Sequence, residues 1–328
     1  MHIIGSFYEA NGYGQFTAAI MRHLVRMKQP FTLTSLFDHP VPPDLLPYVC
    51  PKNQRPKTFD VMFSSVSNCP TDIKAKVLFT MAETTTLPWE HGAGLKRFKT
   101  IIVPTAYSAE AVRPWNKNIR LCPLGSQMAW APVPFDPFTF VAVATDHMCP
   151  KRKRIQELAD VFSATFKAQP DVRLVLKRSP NCTPTVTFDK RIEVINDNID
   201  RKAYNALMQR ATVGVQVSAM EGWCLPVNEF MAMGRPVITP LAGAVGDYIK
   251  PAACFPVEHK MVQAPSEVYL SAGKIPWADI KQVGQQMLFA YNNRLEVYRR
   301  GLAAYEASQQ LTPFQMGERF IALCQTLF

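Results

Sequence analysis

The apolar residues of this chain come in short runs, and segments with helical spacing lie between them. HIIGSF (2–7), FTLTSLF (31–37), FDVMFSS (59–65), KVLFTMA (76–82) and KTIIVPTA (99–106) read as buried strands. TAAIMRHLVRM (17–27) between the first two has helical spacing, and SAEAVRPW (108–115) reads as a short helix with Ser108 as its N-cap. Runs too short for buried helices, separated by helices, fit a parallel sheet covered on both faces. Few other architectures accept that pattern.

The pattern occurs twice. Residues 122–137, CPLGSQMAWAPVPFDP, are rich in proline and interrupt it. FTFVAVAT (138–145) then starts a second series. The helical segments IQELADVFSATFKA (155–168) and DRKAYNALMQRA (200–211) alternate with VRLVLK (172–177), RIEVIN (191–196), TVGVQVSA (212–219) and RPVITP (235–240). The expected fold class is α/β, with two Rossmann-like domains whose parallel sheets face each other across a cleft. The expected boundaries are 1–125 for the first domain, 126–137 for a linker and 138–300 for the second domain. The tail is helical from about Ile280, and 301–328 is expected to be a C-terminal helix packing back on the first domain. A chain of 328 residues with 48% hydrophobic residues has the material for two cores.

Several classes are poorly supported. The N-terminus, MHIIGSFYEANGYG, has neither a basic region nor a long apolar stretch, and no run of about eighteen apolar residues occurs, so neither a secretory leader nor a membrane span is indicated. A cytoplasmic protein is expected, in a bacterium or a phage-infected host. The eight cysteines (50, 69, 122, 149, 182, 224, 254, 324) include no C-x-x-C pair. They read as free, mostly buried thiols. GYGQFT lacks the third glycine of a dinucleotide fingerprint, which argues against a nicotinamide enzyme.

The net charge is +10, of which +6 falls in residues 1–125. An excess of that sign favours an anionic partner: an acidic glycan, nucleic acid or an anionic membrane surface touched peripherally. KNQRPK, KAK and LKRFK supply much of it.

The stretch SAMEGWCLPVNEFMAMGRPVITP (218–240) carries the most chemistry. Strand TVGVQVSA ends in a turn, and PVNEFMAM (226–233) forms a helix with Pro226 near its first position and Gly234 just past its end. Glu221 to Leu225 therefore lie at a strand's carboxyl end and a helix's amino end, where open α/β sheets bind ligands and free amides attract phosphate. Glu229, one turn into the helix, suits a ribose diol, and Glu221 suits another polyol. The pair also reads as carboxylates that only complement the helix dipole.

EGWCLPVNEFMAMGRPVIT resembles the Glu-x7-Glu signature of retaining GT-B-fold glycosyltransferases, the large family 4 and its relatives. KVLFTMAETTTLPWE, IIVPTAYSAEAV with PLG, and FVAVATDHMCPKRKRIQELADVF with VRLVLK extend the resemblance over most of residues 70–245. It implies transfer of a sugar from a nucleoside-diphosphate sugar, UDP-sugar favoured, to an acceptor hydroxyl with retention. It assigns Glu229 to the nucleotide ribose and Glu221 to the donor sugar. The amides of Gly222, Trp223, Cys224 and Leu225 go to sugar and diphosphate, and Lys153 goes to the diphosphate. The family's second cation falls where this chain has Thr145, Asp146 and His147; Arg152, Arg154 or Lys177 are the substitutes. No D-x-D triplet occurs, so no metal or other cofactor is indicated.

In the first domain, Gly14 is expected near the donor, and Gly12 and Tyr13 on the acceptor side; the same glycines also suit a plain tight turn. Glu83, at a strand end, is a candidate for orienting the acceptor or easing its proton, with His91 as the alternative. A cell-envelope or lipid-linked glycan and a hydroxymethylated DNA base are both open as acceptors. A nucleotide-sugar isomerase of similar architecture, or a non-catalytic binding protein, is the alternative function.

Overall fold

In the computed structural model, the described residues are 1–9, 11–36, 39–144, 150–180, 185–265 and 272–328. Contacts divide the chain into two compact units. The first contains 1–125, 269–273 and 310–328; the second contains 126–268 and 274–309. Segment 126–137, expected as a linker, thus groups with the second unit.

The first unit runs β1 (His2–Gly5), α1 (Gly12–Arg26), β2 (Thr32–Ser35), β3 (Phe59–Phe63), β4 (Ala75–Phe79), α2 (Trp89–Gly92), β5 (Thr100–Val103), α3 (Ala106–Val112) and β6 (Ile119–Leu121). Its sheet order is β2-β1-β3-β4-β5-β6, every pairing parallel. Strand order reverses between β1 and β3, as in flavodoxin-like sheets. The strands are buried runs such as Ile3, Ile4, Leu33, Val61, Met62 and Phe63, which is why they lack polar alternation.

The second unit runs β7 (Phe138–Val143), α4 (Pro150–Lys153), α5 (Ile155–Thr165), β8 (Val172–Arg178), β9 (Ile192–Asn196), α6 (Arg201–Gln209), β10 (Val213–Val215), α7 (Leu225–Ala232), β11 (Val237–Pro240), α8 (Gly243–Gly246), β12 (Cys254–Val257), β13 (His259–Gln263), β14 (Lys274–Ala278), α9 (Ile280–Asn292) and α10 (Arg294–Ser308). Its parallel sheet has the order β12-β11-β10-β7-β8-β9, the Rossmann arrangement with its switch point between β7 and β10. The antiparallel hairpin β13–β14 stands apart. Phe138, Phe140, Phe162 and Phe166 form one core layer beneath α5 and α9.

The tail is not one helix from 301. The α10 helix ends at Ser308, and α11 (Pro313–Leu327) starts afresh, with Thr312 accepting from the Gln315 amide at 3.2 Å and Pro313 near its first position. It packs in the first unit, where His23 of α1 meets Glu318 at 2.7 Å and Phe320 contacts Phe63 and Phe79. The cap of α3 also differs from expectation. Thr105, not Ser108, accepts the hydrogen bond, from the Ser108 amide at 3.1 Å. Ser108 Oγ instead donates to the Ala82 carbonyl at 2.9 Å, tying α3 to the loop after β4.

Arg235 helps to tie residues 126–137 to the second unit. This fully buried side chain donates to the carbonyls of Ala131, Pro132, Ala211 and Met233 at 2.6–2.8 Å. No carboxylate balances it among the described residues, and burial lowers its guanidinium to about 10. Met233 follows the end of α7, so the cation also sits at that helix's negative pole.

Candidate active site

The second sheet's switch point separates the segment after β7 from the one after β10, and such points are where open α/β sheets hold ligands. Ala219 N–H donates to the Arg152 carbonyl at 3.0 Å, joining the two segments. Beside that bond Lys153, at the end of α4, donates to Glu221. The two side chains are 8% and 14% exposed, so the pair sits in a nearly dry setting where the Coulomb term is strong. Burial raises the Glu221 carboxyl, but the charges of Lys153 and Arg152 and hydrogen bonds from Lys153 and Ser218 outweigh it and leave the group below its ordinary value. Glu221 is therefore ionised. A lysine ammonium has three donors, so one bond to Glu221 leaves capacity for an anionic ligand.

The turn that follows is built by Cys224, which caps α7 with φ 74, a left-handed conformation a side chain rarely takes. Its thiol accepts from Gln216 Nε2, and Gln216 Oε1 accepts from the Ser218 amide at 3.0 Å. Tyr248 O–H reaches the Trp223 carbonyl at 2.8 Å and the Cys224 carbonyl at 3.1 Å, while its ring stacks on Trp223 with centroids 4.3 Å apart. In a trans peptide the carbonyl and the next amide point opposite ways. Gathering both carbonyls at Tyr248 thus turns the Cys224 and Leu225 amides away from it together. Helix α7 has no side-chain cap, and the two amides meet no acceptor among the described residues. Adjacent amides beside a left-handed residue, at a helix's positive end, have the geometry that suits an anion. The Cys224 thiol is no nucleophile here: burial first, then the Glu221 charge, pushes it up to about 12.

Glu229 lies one turn into α7 and is 4% exposed. Its Oε2 accepts from Tyr204 O–H at 2.6 Å and its Oε1 from Arg201 Nη1 at 3.2 Å, both on α6. Burial raises its carboxyl, and the two α6 partners only partly oppose that. Tyr204 and Arg201 were not legible in the sequence as site residues, since they lie 25 and 28 positions from Glu229.

Two further candidate cations have partners of their own. Lys177, at the end of β8, donates to the Arg178 carbonyl at 2.6 Å. Arg154 pairs with Glu157 and donates to the Ala278 carbonyl at 2.6 Å, which commits it to holding β14. Thr145, Asp146 and His147 lie outside the described residues, as do Cys149 and Cys182. The six described cysteines are free thiols, buried except for half-buried Cys69. Among the described residues no three metal-ligating side chains converge, and no helix is long and apolar enough to cross a membrane.

The remaining candidates belong to the first unit. Gly12 and Tyr13 open α1, which Asn11 caps by accepting from the Gly14 amide at 2.8 Å. Gly14 is buried, and a Cβ there would lie 1.9 Å from the Tyr8 carbonyl oxygen. Its missing side chain thus accommodates the chain's own backbone. Glu83 stands in the bend after β4 beside Tyr107, whose phenol rises through burial and then the Glu83 charge. His91 is half-buried in α2.

Two α/β units, each with a six-stranded parallel sheet, are the architecture of the GT-B class of fold. The solved structures agree. Sucrose-phosphate synthase from Thermosynechococcus elongatus superposes with TM-score 0.72 at 14% identity, over 100% of this chain and 98% of that one. The apo structure of OtsA gives 0.65 at 10% identity over 99% of each. The pneumococcal O-GlcNAc transferase GtfA, in complex with UDP and GlcNAc, gives 0.57 at 14% identity over 82% of this chain and 57% of that one. No family profile matches the chain, and no curated protein sequence does.

Proposed function

We propose that the protein is a retaining glycosyltransferase that moves a sugar from a nucleoside-diphosphate sugar, UDP-sugar favoured, to an acceptor hydroxyl. The observation that carries this reading is the cradle ahead of α7. Two adjacent amides are turned outward by Tyr248, with the ionised Lys153–Glu221 pair at the same switch point and the buried carboxylate of Glu229 one turn on. The barrier to glycosyl transfer lies in expelling the diphosphate while positive charge grows on the anomeric carbon. Fixed amides and a cation already in place stabilise the leaving group without reorganising. In this reading Lys153 and the amides of Gly222 to Leu225 take the diphosphate, Glu221 takes hydroxyls of the donor sugar, and Glu229 takes the ribose diol. The fold's neighbours, which include a synthase of a sugar phosphate and a UDP complex, favour the same chemistry.

The acceptor is anionic in this proposal, because the first unit carries most of the positive charge. Both an acidic or lipid-linked glycan and a hydroxymethylated base in DNA meet that description. Glu83 is proposed to orient the acceptor, with His91 as the alternative. The deciding experiment is calorimetric titration with UDP-, GDP- and ADP-sugars, followed by mass spectrometry of glycan and hydroxymethylated oligonucleotide acceptors. A donor that binds in the micromolar range and releases its diphosphate supports the reading; failure of every nucleotide to bind at millimolar concentration overturns it.

A further inference from the structure

Glu229 presents an asymmetry that its assignment to a ribose does not account for. Both of its oxygens are already engaged, by partners of different character. Tyr204 O–H is 2.6 Å from Oε2, and its half-buried ring packs against the core cluster that includes Val227 and Phe230 of α7. Arg201 reaches Oε1 at the longer distance of 3.2 Å, from the first position of α6, with 36% of its side chain exposed and its guanidinium 5.4 Å from the Tyr204 ring centroid. One contact is short and made by a ring packed against the core. The other is long, half in water and made by a flexible side chain.

We propose that these two residues divide the Glu229 carboxylate between a permanent and an exchangeable partner. Tyr204 fixes Oε2 in every state, and Arg201 occupies Oε1 only until a vicinal diol takes its place. Both are positioning residues; neither touches the reacting atoms. The inference rests on the reading of Glu229 as the ribose acceptor and adds to it the means by which that acceptor is kept ready.

The physical case is one of competing terms. A buried carboxylate with no partner would take up a proton and lose its value as an acceptor. Tyr204 cannot donate a proton outright, because burial and then the Glu229 charge hold its phenol far above its ordinary value. It therefore supplies a hydrogen bond without changing charge. Arg201 supplies a full positive charge, which pulls the Glu229 carboxyl down against the effect of burial, and its partial exposure makes release cheap: water solvates the freed guanidinium. Arg201 and Tyr204 are the charged and titratable groups that bear on Glu229, both from α6. Oε1, once vacated, has two lone pairs for two ribose hydroxyls. The arrangement selects for a cis diol, because a single hydroxyl replaces the Arg201 contact without adding to it.

The test measures binding of UDP, GDP and ADP, and of their 2′-deoxy forms, to the full chain across pH 5–8. The wild type, Tyr204→Phe, Arg201→Ala and Glu229→Gln are compared, with folding checked by thermal unfolding. Wild type is expected to prefer the ribonucleotide about tenfold over its deoxy form, the value of one good hydrogen bond to a charged acceptor. Tyr204→Phe is expected to lower that preference toward unity and to move the acidic limb of binding to higher pH. Arg201→Ala is expected to keep or increase the preference at pH 8 and also to move the limb upward. The nucleotide phosphate's own titration is common to all variants and is removed by reference to Glu229→Gln. If Tyr204→Phe keeps both the preference and the limb, or Arg201→Ala abolishes the preference at pH 8, the division of roles is wrong. If Glu229→Gln itself leaves ribonucleotide binding intact, the ribose assignment beneath it fails instead.

Discussion

Lys153 and Glu221 stand 68 residues apart in sequence and meet at the switch point of the second sheet, with neither side chain more than 14% exposed. A pair this dry is worth little net, because desolvation offsets attraction, but breaking it is expensive. Lys153→Met should therefore cost about 3 kcal/mol at pH 7. Glu221 is held below its ordinary value, so its contribution is present above the unfolded-state carboxyl pKa and lost as pH falls through the lower folded value. Without Lys153, burial dominates and the unpaired carboxyl takes up a proton instead. The penalty of the variant should accordingly shrink as pH falls from 7 to 4, and Lys153→Met/Glu221→Gln should recover much of it. Denaturant unfolding of the three proteins at the two pH values measures this; a penalty independent of pH would contradict the pairing.

Glu229 behaves in the opposite sense. Its folded carboxyl is raised. Such a group favours the folded state below the unfolded-state pKa, and that advantage is lost as pH rises through the folded value. Glu229→Gln removes the titration while its side-chain carbonyl still accepts from Tyr204. We expect the variant to melt at or above the wild-type temperature at pH 7.5 yet to bind nucleotide about thirtyfold more weakly, near 2 kcal/mol for lost bonds to a charged acceptor. Stability gained where function is lost marks a binding group. Paired melting curves and titrations decide it.

What could be read in the sequence was local. Runs such as FDVMFSS and VRLVLK announced strands because both faces of a parallel sheet are apolar. Gly234 announced the end of α7 and does take the left-handed conformation, with φ 74. Contacts made at a distance were not legible. Nothing near Tyr204 points to Glu229, and nothing near Arg235 points to Pro132, 103 positions away. Ser108 misled because two hydroxyls lie within three residues at the start of one short helix; the helix begins at Ala106, so Thr105 is its cap and Ser108 lies in its first turn, where the Ala82 carbonyl claims its hydroxyl. The hairpin β13–β14 went unread because HKMVQ and KIPWA carry charge and proline at strand positions.

Gly14 gives a prediction about the first unit alone. A Cβ there would come within 1.9 Å of the Tyr8 carbonyl oxygen and 2.3 Å of its carbon, and backbone cannot step aside as a flexible side chain can. Gly14→Ala should destabilise the protein by about 3 kcal/mol, at the upper end for overpacking. Gly12→Ala, at an exposed helix position, should change stability by less than about 1 kcal/mol in the favourable direction. Thermal unfolding of both variants checks the contrast. Equal effects would mean that Gly14 serves a ligand and not the approach of α1 to the preceding loop.

Arg235 supports the candidate site from behind. Its guanidinium bonds four carbonyls belonging to segment 131–132, to Ala211 ahead of β10 and to Met233 at the end of α7. It thereby fixes the helix whose other end forms the proposed cradle. A lysine has one ammonium and cannot reproduce a planar fork. Arg235→Lys should leave at least one buried carbonyl unpaired and cost about 2–3 kcal/mol. Arg235→Met should cost more, since all four acceptors lose their partner. The buried cation lacks a carboxylate, and its folded value is lowered to about 10. A cation lowered on folding disfavours the folded state over neutral pH, and the disadvantage is relieved as pH rises through the folded value. The stability difference between wild type and Arg235→Met should therefore widen as pH rises through about 10, from pH 9 to pH 11, as measured by urea unfolding. A difference that narrows over that range would show that the four carbonyls are not held by the charge alone.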